Sequence, residues 1–538
     1  MNKNNIYRLL PLLLILFFSS LFLIYSKRTD LLFLNLLEIV FVYGWLLLIG
    51  PKIRGFLWVL YCCILGAQIA SVYSSGFYII PLTLSNAGEY SALGSIVVIK
   101  LTLIIALFIV TSLLIFTVQT KVKSFSIKIL STIVLFTTVY NLATPMHMFF
   151  DTFSSYYAQL TYKPSYDYPK IAKSYLKVNI WNDRDNNMPI KAERQNVIVI
   201  FTEGMSAAII DKINNRQLHL TPNIDHLYDS SIVFENYYNH TAATFRGLRG
   251  QLTSAYQYKD GMNESHDGIE QLGNEKVIST YKNRLVSLPE ILNKHGYQTY
   301  FLASTERNSG LNSMLKSMSF SKVYGMGDFK PYQEDRMTDK QTFAALKELL
   351  LTQQHQPFFI GVYPSGTHHG RDSPDLKYGD GKNSYYNKFY NYDAQLGDFI
   401  KYFDKSEYAK NTILILTADH STFPTPEFKD SFGIKANYFF DQIPLIIHKI
   451  GVTSQKIDAG GYNSLSLTPT ILQMLDINNE PNYFLGCSLF DASCKSRFSN
   501  IGAEGDAYFK TSPEHYPSYN VEKISEKFEI KEFYNVSG

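Results

Sequence analysis

The sequence predicts a membrane-anchored α/β protein, with transmembrane helices over residues 1–150 and then a domain with a mostly parallel central sheet. Long apolar stretches are concentrated in the first part of the chain. From residue 196 onward, short apolar runs alternate with helical patterns, which is typical of a parallel α/β sheet. The run TILIL (412–416) is apolar on both faces, as a buried central strand requires, and Asp419 and His420 follow it.

Five apolar stretches in the first part of the chain predict five transmembrane helices. Each is near or above the roughly 20 residues that cross a bilayer. A cleaved signal peptide is the alternative for the first stretch, but no small-residue cleavage site precedes Lys27 and further spans follow. The stretches lie at residues 7–26, 31–50, 55–75, 94–118 and 127–150.

The basic residues of the loops predict that the amino terminus lies in the cytoplasm. In that orientation only Lys27 and Arg28 fall in an outer loop, against the positive-inside rule. An odd number of spans then places everything after about residue 150 outside the cytoplasm. Glu38 and Lys100 lie inside spans, where charge is costly, so each needs a functional or packing partner or lies near an interface. The cytoplasmic basic residues are Lys3, Arg8, Lys52, Arg54, Lys121, Lys123 and Lys128.

Charge and cysteine usage exclude some classes of function. The net charge of +3 comes without a basic, aromatic-rich patch, so nothing favours nucleic-acid binding. Cys62 and Cys63 lie in a predicted span as apolar filler. Cys487 and Cys494 lie in the exported half, where a local disulfide is chemically permitted. Zinc-type Cys/His spacing does not occur, which argues against a structural zinc site.

The exported half divides into three predicted parts. Residues 151–195 are aromatic and basic and are expected to lie along the outer membrane face as a linker. Residues 196–505 form the predicted α/β domain, and residues 506–538 form a polar tail with a helix expected near 521–533.

Three predicted strands end in residues that can bind metals. Glu203 follows the first strand, His368 and His369 follow another, and Asp419 and His420 follow a third. If these strands are parallel neighbours, their carboxyl ends share one edge of the sheet. Carboxylate oxygens and an imidazole nitrogen can then face one cation. For Asp419 and His420 the alternative is a capping aspartate beside a surface histidine.

Thr244 precedes FRGLRGQLTSAY, which reads as a helix, so its hydroxyl is expected near the helix N-cap. There the free amides and the helix dipole favour an anion or a developing alkoxide. An ordinary N-cap threonine is the alternative. A threonine hydroxyl is a poor nucleophile at neutral pH and is activated by a metal ion.

Together these segments resemble the alkaline phosphatase/sulfatase superfamily. The whole chain is similar to the lipoteichoic acid synthase and lipid A phosphoethanolamine transferase type, whose five-span membrane part also matches. The similar segments run in order over nearly all of residues 196–490. They are NVIVIFTEGMS (196–206), TPNIDHLYDSSIVFENYY (221–238), TFRGLRGQLTS (244–254), LPEILNKHGYQTYFLAS (288–304), the segment 390–421 that ends in TADHS, QIPLIIH (442–448), LTPTILQMLDI (467–477) and FLGCSLF (484–490).

The resemblance implies a phosphotransfer site with one divalent cation. Glu203, Asp419 and His420 are similar to the family's metal ligands. Thr244 is similar to the attacking nucleophile, which also touches the metal. Mixed oxygen and nitrogen ligands favour Mn²⁺ or Zn²⁺, with Mg²⁺ less favoured because of the histidine.

Three further residues are expected to bind substrate by the same resemblance. His368 resembles the histidine that holds the phosphoryl or leaving group. His369 is a rival because the family's usual nearby proline is missing. Arg246, two residues after the nucleophile, is expected to contact phosphate.

Thr244 argues against sulfate-ester hydrolysis. Sulfatases of this superfamily use a formylglycine made from Cys or Ser in a C/S-x-P-x-R context, and this chain has neither the convertible residue nor the proline. The resemblance instead implies an enzyme in the bacterial plasma (inner) membrane with its catalytic domain outside. It would move the head group of phosphatidylglycerol or phosphatidylethanolamine onto a surface glycan or glycolipid.

Phosphoglycerol is the favoured group for transfer. The phosphoethanolamine branch usually has Cys-Gly before its threonine, whereas this chain has Ala242 and Ala243. The alternatives are a phosphoethanolamine transferase acting on lipid A or glycan, a membrane-anchored phosphodiesterase hydrolase, and a non-catalytic module of a surface-assembly complex. The hydrolase would need a second metal, for which His240 and His448 are the additional histidines near the right segments.

Overall fold

The computed structural model divides the protein into two compact units. The first comprises Met1–Gln159 and Phe423–Asp430, and the second comprises Leu160–Thr422 and Ser431–Gly538. The residues that it describes are 3–79, 83–84, 95–118, 144–160, 175–182, 188–190, 194–214, 216–256, 285–329, 336–353, 357–434, 438–504, 507–511 and 521–524.

The first unit is helical and apolar. In the described part of the chain, Thr29–Leu46, Pro51–Ser75 and Val97–Phe116 are long and apolar enough to cross a membrane, and Leu9–Tyr25 is a shorter apolar helix. These match four of the five predicted spans. The fifth, at 127–150, lies mostly outside the described residues, so the count of five stays a prediction. The helices are α1 (Lys3–Tyr25), α2 (Leu32–Leu46), α3 (Pro51–Ser75), α4 (Ser95–Ser112) and α5 (Pro145–Leu160).

Glu38 has packing partners inside the first unit. Its carboxylate is buried and accepts hydrogen bonds from the Tyr61 hydroxyl and the Met146 amide, each at 3.0 Å. The second bond ties α2 to the first turn of α5, where the amides lack partners within the helix. Of the two roles expected for this buried carboxylate, the structure shows the packing one.

Lys27 and Arg28, which depart from the positive-inside rule, and Lys100, which lies in a predicted span, are each close to an acidic residue. Lys27 forms an ion pair with Asp430, and Arg28 lies 2.7 Å from Asp30. Lys100 Nζ lies 3.7 Å from Glu427 at a half-exposed position. Each pairing offsets a positive charge that an apolar surrounding would disfavour.

An eight-stranded, mostly parallel sheet forms the centre of the second unit, which confirms the predicted fold class. Its strands run in the order β4-β3-β5-β1-β6-β7-β2-β8. Only β7 runs against its neighbours β6 and β2. The strands are β1 (Asn196–Thr202), β2 (Ile232–Glu235), β3 (Gln298–Glu306), β4 (Lys322–Met326), β5 (Phe358–Tyr363), β6 (Thr412–Ala418), β7 (Leu445–His448) and β8 (Gln455–Asp458).

The middle of this sheet is apolar on both faces. Every residue of β1, β5 and β6 is buried, because helices cover both sides of a parallel sheet. β1 lies between β5 and β6 and is parallel to both. The helices from here on are α6 (Pro222–Ser230), α7 (Thr244–Thr253), α8 (Leu288–Lys294), α9 (Gly310–Lys316), α10 (Asp339–Leu351), α11 (Ser384–Asp404), α12 (Pro426–Phe432) and α13 (Leu467–Met474). All belong to the second unit except α12, which begins in the first unit's segment Phe423–Asp430.

The tail differs from the expected helix near 521–533. Three short strands, β9 (Ile501–Glu504), β10 (Ala507–Thr511) and β11 (Val521–Ile524), form an antiparallel sheet. Val521 is β-branched and packs in a cluster with Phe440 and Phe509, which favours a strand over a helix at this position. Residues 525–533 of the expected helix lie outside the described residues.

Cys487 and Cys494 form the local disulfide that the sequence permits.

Candidate active site

The carboxyl ends of β1 and β6 place Glu203 and Asp419 side by side. The two strands pair in parallel up to Thr202 opposite Ala418, so the next residue of each strand lies at the same level. The Asp419 amide also donates to the Thr202 carbonyl at 3.2 Å. Both carboxylates are buried, with 1% and 0% of their surface exposed. The neighbouring strand ends expected from the sequence are therefore adjacent in the fold.

His420 brings an imidazole to the same point. Its Nδ1 lies 2.7 Å from the Ser421 carbonyl oxygen and donates to it, so in the neutral ring Nε2 is free to bind a cation. Nε2 lies 3.4 Å from Glu203 Oε1 and 3.5 Å from Asp419 Oδ2. Ligand atoms of these three residues lie within 4.8 Å of one another. In the described part of the chain, no other group of three such residues is close enough to hold a metal ion.

The free oxygen of Asp419 fits a cation. Asp419 Oδ1 accepts hydrogen bonds from the Gly204 amide at 2.9 Å and the His420 amide at 2.8 Å. Asp419 Oδ2 is buried and receives no hydrogen bond from any described residue. Such an oxygen is costly to bury unless a positive charge faces it. Two carboxylates and one imidazole nitrogen suit a divalent transition metal.

The charges of the three residues are strongly linked. Burial disfavours the carboxylate of Glu203, yet the adjacent His420 holds the pKa of Glu203 below its usual range. Burial, and then the nearby Glu203 charge, raise the pKa of Asp419. Burial disfavours imidazolium, but Asp419 and Glu203 raise the pKa of His420. A cation at this point replaces bound protons as the balancing charge.

Thr244 contacts the cluster from the start of α7. It is the first helical residue, and Ala243 before it turns the chain with φ of 68°. Its Oγ1 donates to Glu203 Oε2 at 3.0 Å. The hydroxyl thus lies at a helix N-terminus and against a candidate metal ligand, as a metal-activated nucleophile requires.

Gly247 lets α7 approach the end of β6 closely. A Cβ added to Gly247 would lie 2.1 Å from the Asp419 carbonyl oxygen, so only glycine fits there. Gln251 Nε2 then donates to the Ala418 and Asp419 carbonyls at 3.0 Å and 3.1 Å. These contacts fix the position of Thr244 relative to the carboxylates.

Tyr363 and Thr367 also contact Glu203, although sequence reasoning missed both. The Tyr363 hydroxyl donates to Glu203 Oε2, and Thr367 Oγ1 donates to the Glu203 carbonyl at 2.6 Å. Burial, and then the Glu203 charge, raise the pKa of Tyr363 well above its usual range, so it stays a neutral donor. Its position at the end of β5 was the available signal, since that strand ends at the same edge.

The two adjacent histidines lie near this edge and are neutral. His368 Nδ1 lies 2.8 Å from the His369 carbonyl oxygen, and His369 Nδ1 lies 3.3 Å from the Tyr385 hydroxyl. Although part of each side chain is accessible, enclosure by protein lowers the pKa of His368 to about 4 and that of His369 to about 3. Arg246 is buried in the first turn of α7. Their roles toward substrate stay predictions.

The other two histidines considered for a second metal have structural partners. His240 is buried with its Nδ1 2.6 Å from Ser464 Oγ. His448 Nε2 lies 2.9 Å from Asp404 Oδ1, and its Nδ1 lies 3.2 Å from Ser231 Oγ. Neither belongs to the Glu203, Asp419 and His420 group.

The candidate cation ligands thus lie at adjacent strand ends of a mostly parallel sheet, beside a helix that begins with Thr244. The model of the sulfatase family matches residues 195–477, more than half of the chain. The chain therefore belongs to the sulfatase family, which confirms the resemblance found in the sequence. Its members are in general divalent-metal-dependent enzymes, so this chain is a transferase or a hydrolase with a membrane-helix region.

Solved structures share the fold. A protein of the alkaline phosphatase superfamily from Vibrio parahaemolyticus is 17% identical with a TM-score of 0.51, over 70% of this chain and 90% of that one. The lipoteichoic acid synthase LtaP from Listeria monocytogenes is 16% identical with a TM-score of 0.51, over 69% of this chain and 95% of that one. At these identities the likeness concerns the fold.

Proposed function

We propose that this protein is a multi-pass enzyme of the plasma (inner) membrane that transfers a phospholipid head group to a surface glycan or glycolipid. Thr244 is the proposed nucleophile, and Glu203, Asp419 and His420 are the proposed ligands of one divalent cation, Mn²⁺ or Zn²⁺. The single observation that carries this proposal is the Thr244 hydroxyl, 3.0 Å from Glu203 in a three-ligand cluster. When bound, the cation would lower the pKa of the hydroxyl and neutralise charge on the phosphoryl group.

In the first step the Thr244 oxygen forms a bond to the phosphorus of the head-group phosphodiester. The bond from phosphorus to the diacylglycerol oxygen breaks, and this oxygen takes up one proton so that diacylglycerol leaves as the alcohol. Glu203 Oε2, which already accepts the hydrogen bond of the Thr244 hydroxyl, is placed to receive the proton that Thr244 loses as it attacks. Positioning and charge neutralisation supply most of the rate in such a transfer.

In the second step a hydroxyl of the acceptor forms a bond to phosphorus, and the bond to Thr244 breaks. His368 is the proposed base for this hydroxyl. Its Nδ1 contact with a carbonyl oxygen leaves Nε2 as an acceptor. The lowered pKa, about 4, keeps this ring neutral at pH 7. Arg246 is proposed to contact the phosphate, and His369 to contact the substrate.

Transfer from a lipid donor is favoured over hydrolysis for two reasons. The apolar helices of the first unit suit an enzyme whose donor lies in the membrane. A two-metal phosphodiesterase needs more ligands, and His240 and His448 have other partners. Ala242 and Ala243 precede Thr244, whereas the phosphoethanolamine branch usually has Cys-Gly there, and this favours phosphoglycerol as the transferred group. The Cys487–Cys494 disulfide supports a location outside the cytoplasm.

Trapping the intermediate tests this function. The full chain in detergent is incubated with head-group-labelled phosphatidylglycerol or phosphatidylethanolamine. The mass of the peptide that contains Thr244 is then measured by mass spectrometry. We expect a phosphoglycerol adduct on Thr244 that Thr244→Ala abolishes. The matched control is Thr253→Ala, whose hydroxyl donates to the Arg249 carbonyl of the same helix and makes no other hydrogen bond with the described residues. This variant is expected to keep the adduct. A phosphoethanolamine adduct instead would change the donor, and activity without any adduct would refute the mechanism.

A further inference from the structure

Tyr363 is the last residue of β5 and points its hydroxyl into the cluster without being a candidate metal ligand. Its side chain is 2% exposed. The hydroxyl donates to Glu203 Oε2 and lies 3.4 Å from Thr244 Oγ1. Thr244 Oγ1 donates to the same carboxylate oxygen at 3.0 Å. One oxygen of Glu203 is therefore shared by two hydroxyl groups.

These contacts divide the two oxygens of Glu203 between different tasks. Oε2 faces the hydroxyls of Tyr363 and Thr244. Oε1 lies 3.4 Å from His420 Nε2, on the side where Asp419 Oδ2 also lies. A glutamate side chain has several rotatable bonds, and ordering it costs rotamer entropy. A tyrosine on a central strand has few rotatable bonds and provides a rigid donor that selects one orientation of the carboxylate.

We propose that Tyr363 is a positioning residue that holds Glu203 so that Oε1 faces the cation and Oε2 faces the nucleophile. This inference rests on the cation site of the proposed function but not on the identity of the lipid donor. Tyr363 acts through Glu203 and takes no part in bond making. Hydrogen-bond partners of metal ligands commonly change metal affinity by about 10- to 100-fold when they are removed.

The competing explanation is that Tyr363 only satisfies a buried hydroxyl, as buried tyrosines usually do. The chain offers a matched control for this explanation. Tyr392 is also buried, and its hydroxyl lies 2.5 Å from Thr202 Oγ1, one residue before Glu203. Tyr392 belongs to α11, so changing it to phenylalanine removes the same chemical group from beside the end of β1 without removing a contact to a candidate ligand.

The experiment compares Tyr363→Phe with Tyr392→Phe in the full-length protein in detergent. Free Mn²⁺ is measured by its electron paramagnetic resonance signal as metal is titrated into each metal-stripped chain. The unfolding temperature of each chain is recorded beside it. We expect Tyr363→Phe to bind Mn²⁺ about tenfold more weakly than the wild type, and Tyr392→Phe to bind within about twofold of it.

Equal Mn²⁺ affinity of Tyr363→Phe and the wild type would overturn the proposal. A Tyr363→Phe chain that does not fold, beside a folded Tyr392→Phe chain, would make the hydroxyl a folding requirement and would overturn it as well. This readout needs no lipid. If Tyr363→Phe loses affinity while the wild type forms no Thr244 adduct, the positioning role stands and the proposed transfer fails.

Discussion

Two sets of buried carboxylates in the second unit differ in what they face. Glu203 and Asp419 lie at adjacent strand ends and face each other and His420. Asp339 and Asp393 lie at the starts of helices or against them and accept hydrogen bonds from backbone amides instead. All four are almost completely enclosed. Burial alone therefore does not mark a functional carboxylate, whereas convergence on one point with an unsatisfied oxygen does.

Asp339 and Asp393, the structural set, accept hydrogen bonds from backbone amides of other segments, although Asp339 Oδ2 is buried without a hydrogen-bond partner among the described residues. Asp393 Oδ1 accepts from the Ile224 amide at 2.8 Å, and its Oδ2 accepts from the Asn223 amide at 3.1 Å. Asp393 thereby satisfies free amides in the first turn of α6. Asp339 Oδ1 accepts from the Gly366 amide at 3.0 Å. These contacts hold segments of the fold together and leave no common point for a cation.

The largest effect is expected from a substitution in the strand-end set, Glu203 and Asp419. Asp419→Asn removes a ligand charge, so we expect the rate of Thr244 adduct formation to fall by about a thousandfold, equivalent to about 4 kcal/mol of transition-state stabilisation. The rate is measured by single-turnover mass analysis with labelled lipid. Asp339→Asn is the control and is expected to stay within about threefold of the wild type. Equal losses in both variants would remove the distinction between the two sets.

A smaller loss is expected when the approach of α7 is disturbed. A Cβ on Gly247 would collide with the Asp419 carbonyl, so Gly247→Ala must move the helix that carries Thr244. A displacement of about 1 Å can cost about 100-fold in rate. Gly44→Ala, where an added Cβ meets nothing within 4 Å, is the control and should leave the rate unchanged. Unaltered adduct formation in Gly247→Ala would show that the close approach is unimportant.

Changing the structural set should lower stability instead of activity. Asp393→Ala leaves the amides of Asn223 and Ile224 without their acceptor, and we expect the free energy of unfolding to fall by about 1 to 3 kcal/mol. Denaturant unfolding measures this loss, while metal content per folded chain stays as in the wild type. A folded variant that has lost its metal would place Asp393 in the functional set.

The structural set also predicts a pH dependence of stability. Burial raises the pKa of Asp339 to about 7 from the ordinary value of 3.8, so the folded state binds its proton more tightly than the unfolded state does. This contribution to stability is complete below about pH 4 and is lost as the pH rises through about 7. Asp339→Asn cannot titrate, so its stability relative to the wild type should rise between those values. A difference that is constant with pH would exclude this ionisation.

Much of the fold and of the candidate site follows from local sequence patterns. The run TILIL is apolar on both faces because β6 is covered on both sides, and Asp419 and His420 follow it at the strand end. Parallel pairing then predicts that Glu203 lies beside them, which the structure shows. The start of a helix near Thr244 follows from the pattern after it.

Other features depend on contacts that the local sequence does not contain. The segment around Val521 forms a strand because it pairs with β10 and packs against Phe440 and Phe509. Tyr363 reads as one more aromatic residue of an apolar strand, and only the adjacency of β5 and β1 brings its hydroxyl to Glu203. From the sequence, Gly247 is only a residue that weakens a helix. The structure shows why glycine is needed there, because a Cβ would collide with the Asp419 carbonyl.

The most direct test of the central claim is the number of metal ions per chain. Full-length protein purified in detergent is analysed by inductively coupled plasma mass spectrometry, with Asp419→Asn as the blank. We expect one tightly bound divalent cation in the wild type and none in the variant. Two ions in the wild type, or an unchanged content in Asp419→Asn, would contradict a single-cation site at Glu203, Asp419 and His420.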